Sequence, residues 1–288
     1  MRMRGWLLIL LLAAAFGMVS CGGNQAPVVS VTPAALQGNW YLFAPVGFVN
    51  FPPSSMTIET VGNQVYGQGT FSFACSGSSS FQSIGISPVT VRGQIAADGS
   101  FELKDDAKDP IQLVIDGHVP TSVTPTWAGS YTASDGTVTG CTIDAKGSFT
   151  ATAYPALDGT YAGTLAGVAV PGGTAMPSIT ISTKITQEQP VTYSAGLLEY
   201  WTPLAATIQV QGSSCFTTGG TPTVTPPIPP GRLEGAEVLL SYKMNDGSTL
   251  SLSGWFLDES GKTLRVRSAR VFNGDCAGSF GQGDLTLQ

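Results

Sequence analysis

The chain has 288 residues, enough for about two domains, and only 11% of them are charged, against roughly 25% in an average globular protein. A formal net charge of −6 excludes a nucleic-acid binder, which needs clustered Lys and Arg, and a single histidine excludes a metal site built from several histidines. Hydrophobic residues make up 42% of the chain, which is enough to fill a core and excludes a disordered polyanion.

Residues 1–20 have the three zones of a secretory signal peptide. Arg2 and Arg4 form a basic start, and an uninterrupted apolar run follows from Trp6 to Phe16. This run is shorter than the roughly 20 residues that a helix needs to span a bilayer. Small residues then lead to Cys21. We therefore expect residues 1–20 to be removed on export.

The segment from Met18 to Cys21 resembles the lipobox of bacterial lipoproteins, with Met18 at the position where that family usually has Leu. The resemblance implies that the Cys21 thiol is lipidated and that the new amino terminus is acylated. Several acyl chains then hold the protein stably in the membrane. The family tends to have Asp after the Cys when the protein stays at the inner membrane. Gly22 at that position implies the outer membrane of the cell envelope, and residues 21–34 read as a flexible tether.

The rest of the chain contains two halves with the same order of features, which predicts an internal duplication. Leu36–Tyr41 and Leu157–Ala162 both read Leu-x-Gly-x-aromatic, and each half continues with two cysteines and a short closing strand. We therefore predict one β domain at 35–156 and a second at 157–288.

Apart from Cys21, the chain has four cysteines, an even number that indicates disulfides in an exported protein. None lies in a Cys-x-x-Cys pair, so neither a redox motif nor a zinc knuckle is indicated. Three pairings are possible. The duplication favours one bridge in each half, which gives the pairs Cys75–Cys141 and Cys215–Cys276.

Apolar and polar residues alternate in short segments along both halves, as in 91–95, 101–104 and 264–267. Turn signals such as Asp98-Gly99 and Asp246-Gly247 separate these segments. The pattern predicts an all-β fold with two tandem antiparallel meander barrels or sandwiches of about seven or eight strands each. Gly38-Asn39-Trp40 also resembles the Gly-x-Trp opening of lipocalin-like barrels, but we favour the simpler interpretation of an aromatic core residue, which can stand at the start of any β domain.

No constellation of residues indicates catalysis. His118 follows Asp116 without an evident nucleophile, and no Gly-x-Ser-x-Gly elbow is present. Asp105, Asp106 and Asp109 lack an EF-hand spacing and read as a solvated loop. The proline-rich stretch 221–231 also reads as a loop. We therefore predict no enzyme activity, no cofactor and no metal.

Two pairs of residues are candidates for ligand contact. Arg265 and Arg267 share one face of a strand and could line a pocket for an anion, or form the wet face of the sheet. Tyr200 and Trp201, beside Pro203 in a predicted loop, could stack on sugars, or cover the mouth of a barrel.

The whole chain resembles export-tagged, two-repeat, all-β envelope lipoproteins without an assigned activity. The leading prediction is a membrane-anchored envelope lipoprotein with a non-catalytic binding or scaffolding role. One alternative is a lipocalin-like carrier of a small apolar ligand, which needs an interior cavity. Another is a hydrolase of envelope glycans, which needs two carboxylates across a cleft. The predicted partners are the membrane, through the lipid, and either a small apolar ligand or an envelope glycan; nucleic acid is excluded.

Overall fold

The computed structural model describes twelve segments of the chain. They are 32–44, 53–75, 83–105, 111–120, 126–135, 142–168, 176–188, 191–192, 200–213, 221–222, 231–273 and 278–288. The predicted signal peptide lies outside these residues, as do Cys21, Cys141, Cys215 and Cys276 and the acidic residues Asp106 and Asp109.

The first half of the chain forms a closed antiparallel barrel in which each strand pairs with the next along the chain. The last strand pairs with the first, so the sheet has no open edge. The strands are β1 (Gly38–Phe43), β2 (Ser55–Val61), β3 (Gln64–Ala74), β4 (Ser83–Ile95), β5 (Ser100–Asp105), β6 (Ile111–His118), β7 (Thr126–Asp135) and β8 (Asp144–Ala153).

The second half forms another closed ring of eight antiparallel strands, again in chain order. Its ring strands are β9 (Asp158–Leu165), β10 (Ile179–Gln187), β12 (Tyr200–Gln211), β14 (Gly231–Glu234), β15 (Glu237–Lys243), β16 (Thr249–Phe256), β17 (Thr263–Phe272) and β19 (Gly283–Leu287). Three short strands pair with β12, β15 and β17 respectively: β11 (Val191–Thr192), β13 (Thr221–Pro222) and β18 (Gly278–Phe280). The predicted all-β fold with two antiparallel barrels is thus confirmed.

Alternation along the strands explains why these segments form barrel walls. In β5, Phe101 and Leu103 are buried whereas Glu102 and Lys104 are exposed, so one face meets the core and the other meets water. A turn precedes this strand, and the Asp98 carboxylate accepts hydrogen bonds from the backbone N–H and hydroxyl of Ser100. The same Asp-x-Ser arrangement recurs in both β15–β16 and β16–β17 turns.

Each barrel has its own hydrophobic core. In the first barrel the Trp127 ring lies edge-on to three other aromatic rings, with centroids 5.9 Å from Trp40, 5.5 Å from Phe101 and 5.1 Å from Phe149. The second core is mostly aliphatic, with Tyr161 and Tyr242 buried inside it.

The aromatic residues of the two Leu-x-Gly-x-aromatic openings are both core residues. Trp40 donates its Nε1–H to the carbonyl of Leu36 at 2.8 Å, and Tyr161 donates its hydroxyl to the carbonyl of Gly261 at 2.8 Å. Leu36 ends a short 3-10 helix, Pro33–Leu36, which begins just inside the predicted tether. Residues 154–157 connect β8 to β9, and both barrels belong to one compact unit, Val31–Gln288.

Parts of two segments for which the sequence predicts loops are strands; within the proline-rich stretch 221–231, residues 223–230 lie outside the described residues. Tyr200 and Trp201 begin β12, and the Trp201 side chain is only 3% exposed. Thr221–Pro222 forms β13, where Pro222 lies opposite Tyr242 of β15. Proline is tolerated there because β13 is a short strand outside the closed ring, so its missing N–H breaks no ladder within the wall.

Candidate functional site

The outer face of β1 and β2 in the first barrel is covered by the second barrel, and polar side chains connect the two. Asn39 donates its Nδ2–H to Thr202 Oγ1 of β12 at 3.1 Å and accepts at Oδ1 from Thr57 Oγ1 at 2.6 Å. Asn39, Thr57 and Thr202 are 6%, 2% and 0% exposed. Because buried polar groups need partners, these bonds favour one defined docking of the two barrels.

The turn between β14 and β15 adds two further hydrogen bonds to this contact. The backbone N–H of Gly235 donates to Thr57 Oγ1 at 2.9 Å, and that of Ala236 donates to Ser55 Oγ at 2.8 Å. Gly235 has φ +58°, and a Cβ there would lie 2.6 Å from Ser55 Oγ. Glycine is required at this position both for its backbone conformation and for the close approach. We call these contacts, made by Asn39, Ser55, Thr57, Thr202, Gly235 and Ala236, the seam.

A buried carboxylate lies next to the seam. Glu234 is 3% exposed, accepts a hydrogen bond from Gln68 Nε2 of the first barrel at 3.3 Å and has Arg232 Nε 3.0 Å from its Oε1. The Arg232 guanidinium also lies over the Trp201 ring, 6.0 Å from its centroid. Since Trp201 is only 3% exposed, its ring offers no open surface for stacking on a sugar.

The two candidate arginines already have partners within the protein. Arg265 donates Nε–H and Nη2–H to the two carboxylate oxygens of Asp284 at 2.8 and 2.9 Å, and this bond holds the pKa of Asp284 below its usual range. Arg267 lies over the Trp255 ring, 5.1 Å from its centroid. Neither arginine lines the depression described next.

A depression of about 720 Å³ lies on the outer wall of the first barrel, across β1, β6, β7 and β8. At its rim are two exposed side chains, Phe43 and His118. The exposed outward residues between them are small: Ala128, Ser130, Ser148 and Thr150. The half-buried carboxylate of Asp116 completes the polar lining.

Two facing glycines lie in the wall of the first barrel beneath the depression. Gly117 of β6 pairs with Gly129 of β7. A Cβ at Gly117 would lie 2.4 Å from the Phe101 ring, and one at Gly129 would lie 2.7 Å from the Phe149 ring. Because neither glycine has a side chain, the Phe101 and Phe149 rings lie directly against the backbone of this wall.

The polar residues of the depression form a row across the strands. Asp116 lies opposite Ser130, and Ser130 lies opposite Ser148. Asp116 and His118 are candidates that the sequence itself suggests, whereas the two serines are not, because cross-strand register cannot be read from a single strand. His118 Nδ1 lies 3.0 Å from the carbonyl oxygen of Val119, and in the described part of the chain no hydrogen bond joins His118 to a serine. This arrangement can offer hydrogen bonds, but it lacks a nucleophile paired with a base.

Side chains occupy the interior of both barrels in the described residues, where the two core clusters lie. Across the segments described, no group of three or more His, Cys, Asp or Glu residues is placed to hold a metal ion. No helix in those segments is long and apolar enough to cross a membrane.

No protein-family model matches the chain, and no curated protein matches it either.

Proposed function

We propose that this protein is a lipid-anchored lipoprotein of the cell envelope with a non-catalytic binding or scaffolding role. Cys21 is the lipidation site, residues 1–20 are the signal peptide, and residues 21–34 connect the lipid to the barrels. The outer membrane is the proposed location, since Gly22 follows Cys21.

The seam is the observation that carries the scaffolding role. Buried hydrogen bonds from Asn39, Gly235 and Ala236 connect the two barrels at defined positions. A buried polar contact is favourable only when its donors and acceptors are aligned, so it holds one relative orientation. Two barrels held in one orientation in this way can present fixed outer surfaces at a distance from the membrane.

The packed cores support a role for the outer surfaces rather than for an interior cargo site. A lipocalin-like carrier needs a cavity inside a barrel. Large side chains such as Tyr131 and Phe71 in the first barrel and Tyr242 and Phe256 in the second are less than 2% exposed within the cores. The depression described above, by contrast, lies on an outer wall.

The anchor can be tested by metabolic labelling with a radioactive fatty acid, comparing the wild type with Cys21→Ala. We expect the wild type to carry label and to sediment with membranes, and Cys21→Ala to lose both properties. Ser30→Ala, which changes a tether residue outside the lipobox, should keep the label. Label on Cys21→Ala, or an unlabelled wild type, would show that the lipoprotein assignment is wrong.

A further inference from the structure

We propose that the depression on the outer wall of the first barrel binds a neutral pyranose chain. This inference rests on the binding role proposed above and assigns it a site and a ligand class. At about 720 Å³, the depression is within the size range of small-molecule sites, roughly 300–1,000 Å³.

An exposed aromatic ring supplies the apolar part of the site. Phe43 is 50% exposed at the end of β1 and pairs with Thr150 of β8, which places its ring at the rim beside a hydroxyl. A large exposed aromatic residue leaves apolar area in contact with water. A pyranose ring has one face lined with C–H groups, which can cover that area while its hydroxyls stay directed at polar partners.

A row of polar groups supplies the hydrogen bonds. Asp116, Ser130 and Ser148 lie directly opposite one another on β6, β7 and β8, so adjacent groups are about 5 Å apart. That spacing is comparable to the length of one pyranose ring. None of these three side chains makes a hydrogen bond within the described structure, so each can exchange water for a ligand. The carboxylate accepts two hydrogen bonds, which suits a pair of neighbouring sugar hydroxyls.

Other ligand classes fit this surface less well. A peptide cannot add as an extra strand, because every strand of the first barrel is paired on both sides. An anionic polymer would meet the Asp116 carboxylate on a chain whose formal net charge is −6. An apolar ligand would leave Asp116 and the hydroxyls of the row without partners.

The inference can be tested by calorimetric titration of the full chain in a detergent without a sugar headgroup. The probes are two neutral tetrasaccharides, of β-1,4-linked N-acetylglucosamine and of β-1,4-linked glucose, and an oligogalacturonate serves as the anionic comparison. We expect at least one neutral probe to bind with a Kd of about 1 mM or tighter and the anionic probe to bind at least tenfold more weakly.

Two variants locate the site, and each has a matched control. Phe43→Ala should weaken binding about tenfold, whereas Phe272→Ala, which removes a ring of similar exposure (47%) from the second barrel, should not change it. Asp116→Asn should weaken binding about fivefold, whereas Asp144→Asn, on the same barrel but outside the depression, should leave it unchanged. Phe43→Trp keeps a ring and should retain binding, which separates loss of stacking from loss of fold.

Failure of both neutral probes, equal binding of the anionic probe, or equal effects of Phe43→Ala and Phe272→Ala would overturn the inference. The anchor is tested separately, because acyl labelling at Cys21 does not depend on sugar binding. Labelled protein that binds neither neutral probe would refute the glycan site and leave the anchored scaffold in place.

Discussion

Replacing Gly235 with alanine should weaken the contact between the two barrels. Gly235 lies in the turn between β14 and β15 with φ +58°, and its N–H donates to Thr57 of the first barrel. A Cβ at this position would lie 2.6 Å from Ser55 Oγ and 2.7 Å from the Met56 backbone nitrogen. Since β2 is fixed by its pairing with β1 and β3, the turn rather than the strand would have to move.

The magnitude follows from three contributions. The left-handed backbone costs about 1–2 kcal/mol for a residue with a side chain. Moving the turn removes the two hydrogen bonds that Gly235 and Ala236 donate, at about 1 kcal/mol each. Steric contact with the first barrel and any buried hydroxyl left without a partner add further cost. We therefore expect Gly235→Ala to lower the free energy of unfolding by about 3–5 kcal/mol.

Gly62→Ala is the matched control for this substitution. Gly62 lies in the β2–β3 turn with φ +62°, but a Cβ there would meet nothing within 4 Å. Gly62→Ala should therefore lower the free energy of unfolding only by the cost of the left-handed backbone, about 1–2 kcal/mol. Urea titration followed by circular dichroism would measure both variants. If Gly235→Ala and Gly62→Ala shift the midpoint equally, the seam does not couple the barrels as described.

Three further predictions concern stability. Burial raises the pKa of Tyr161 to about 12, so the neutral phenol that donates to the Gly261 carbonyl stabilises the fold fully below pH 10 and loses this effect as the pH rises from 10 to 12. The wild type should therefore be more stable than Tyr161→Phe by about 1 kcal/mol at pH 8, and this difference should shrink between pH 10 and 12. A difference that stays constant over this range would contradict the prediction. Arg265→Ala should lower the free energy of unfolding by no more than about 1 kcal/mol at pH 7, because both side chains of the Arg265–Asp284 pair are 38% exposed. A larger decrease would show that this pair stabilises the fold more than an exposed ion pair does. Thiol titration of the unfolded, unreduced Cys21→Ala chain should find no free thiol, since the proposed bridges are Cys75–Cys141 and Cys215–Cys276. Four free thiols would contradict both bridges.

The strands and turns could be predicted because each wall strand meets the core on one side and water on the other. Phe101 and Leu103 alternate with Glu102 and Lys104 for this reason. The Asp98-Gly99 turn could be predicted because Gly99, at φ +88°, adopts a backbone conformation that side chains disfavour.

The burial of polar residues between the two barrels could not be predicted from that alternation. Gln68 alternates with apolar residues on β3, and a polar residue in such a pattern indicates a solvated face. In the structure Gln68 is 2% exposed, because the Glu234 carboxylate of the second barrel lies against it. Burial of this kind depends on contact between distant parts of the chain, so a local pattern contains no sign of it. Likewise, the sequence around Trp201 does not indicate that Arg232 of another strand lies over its ring.

The depression could not be predicted from the sequence for a related reason. Ser130 and Ser148 are 18 residues apart and become neighbours only through the register of β7 and β8. The facing glycines Gly117 and Gly129 are likewise aligned by the register of β6 and β7. Register is set by the pairing of whole strands, so the residues of one strand do not reveal which side chains will lie beside them.

The most direct test of the proposed anchor is intact mass spectrometry of the protein purified from bacterial membranes. The mature chain should begin at Cys21 and exceed the mass of the polypeptide by that of the acyl groups on its thiol and amino terminus. A mature chain that begins at another residue, or one that begins at Cys21 without added mass, would contradict the assignment.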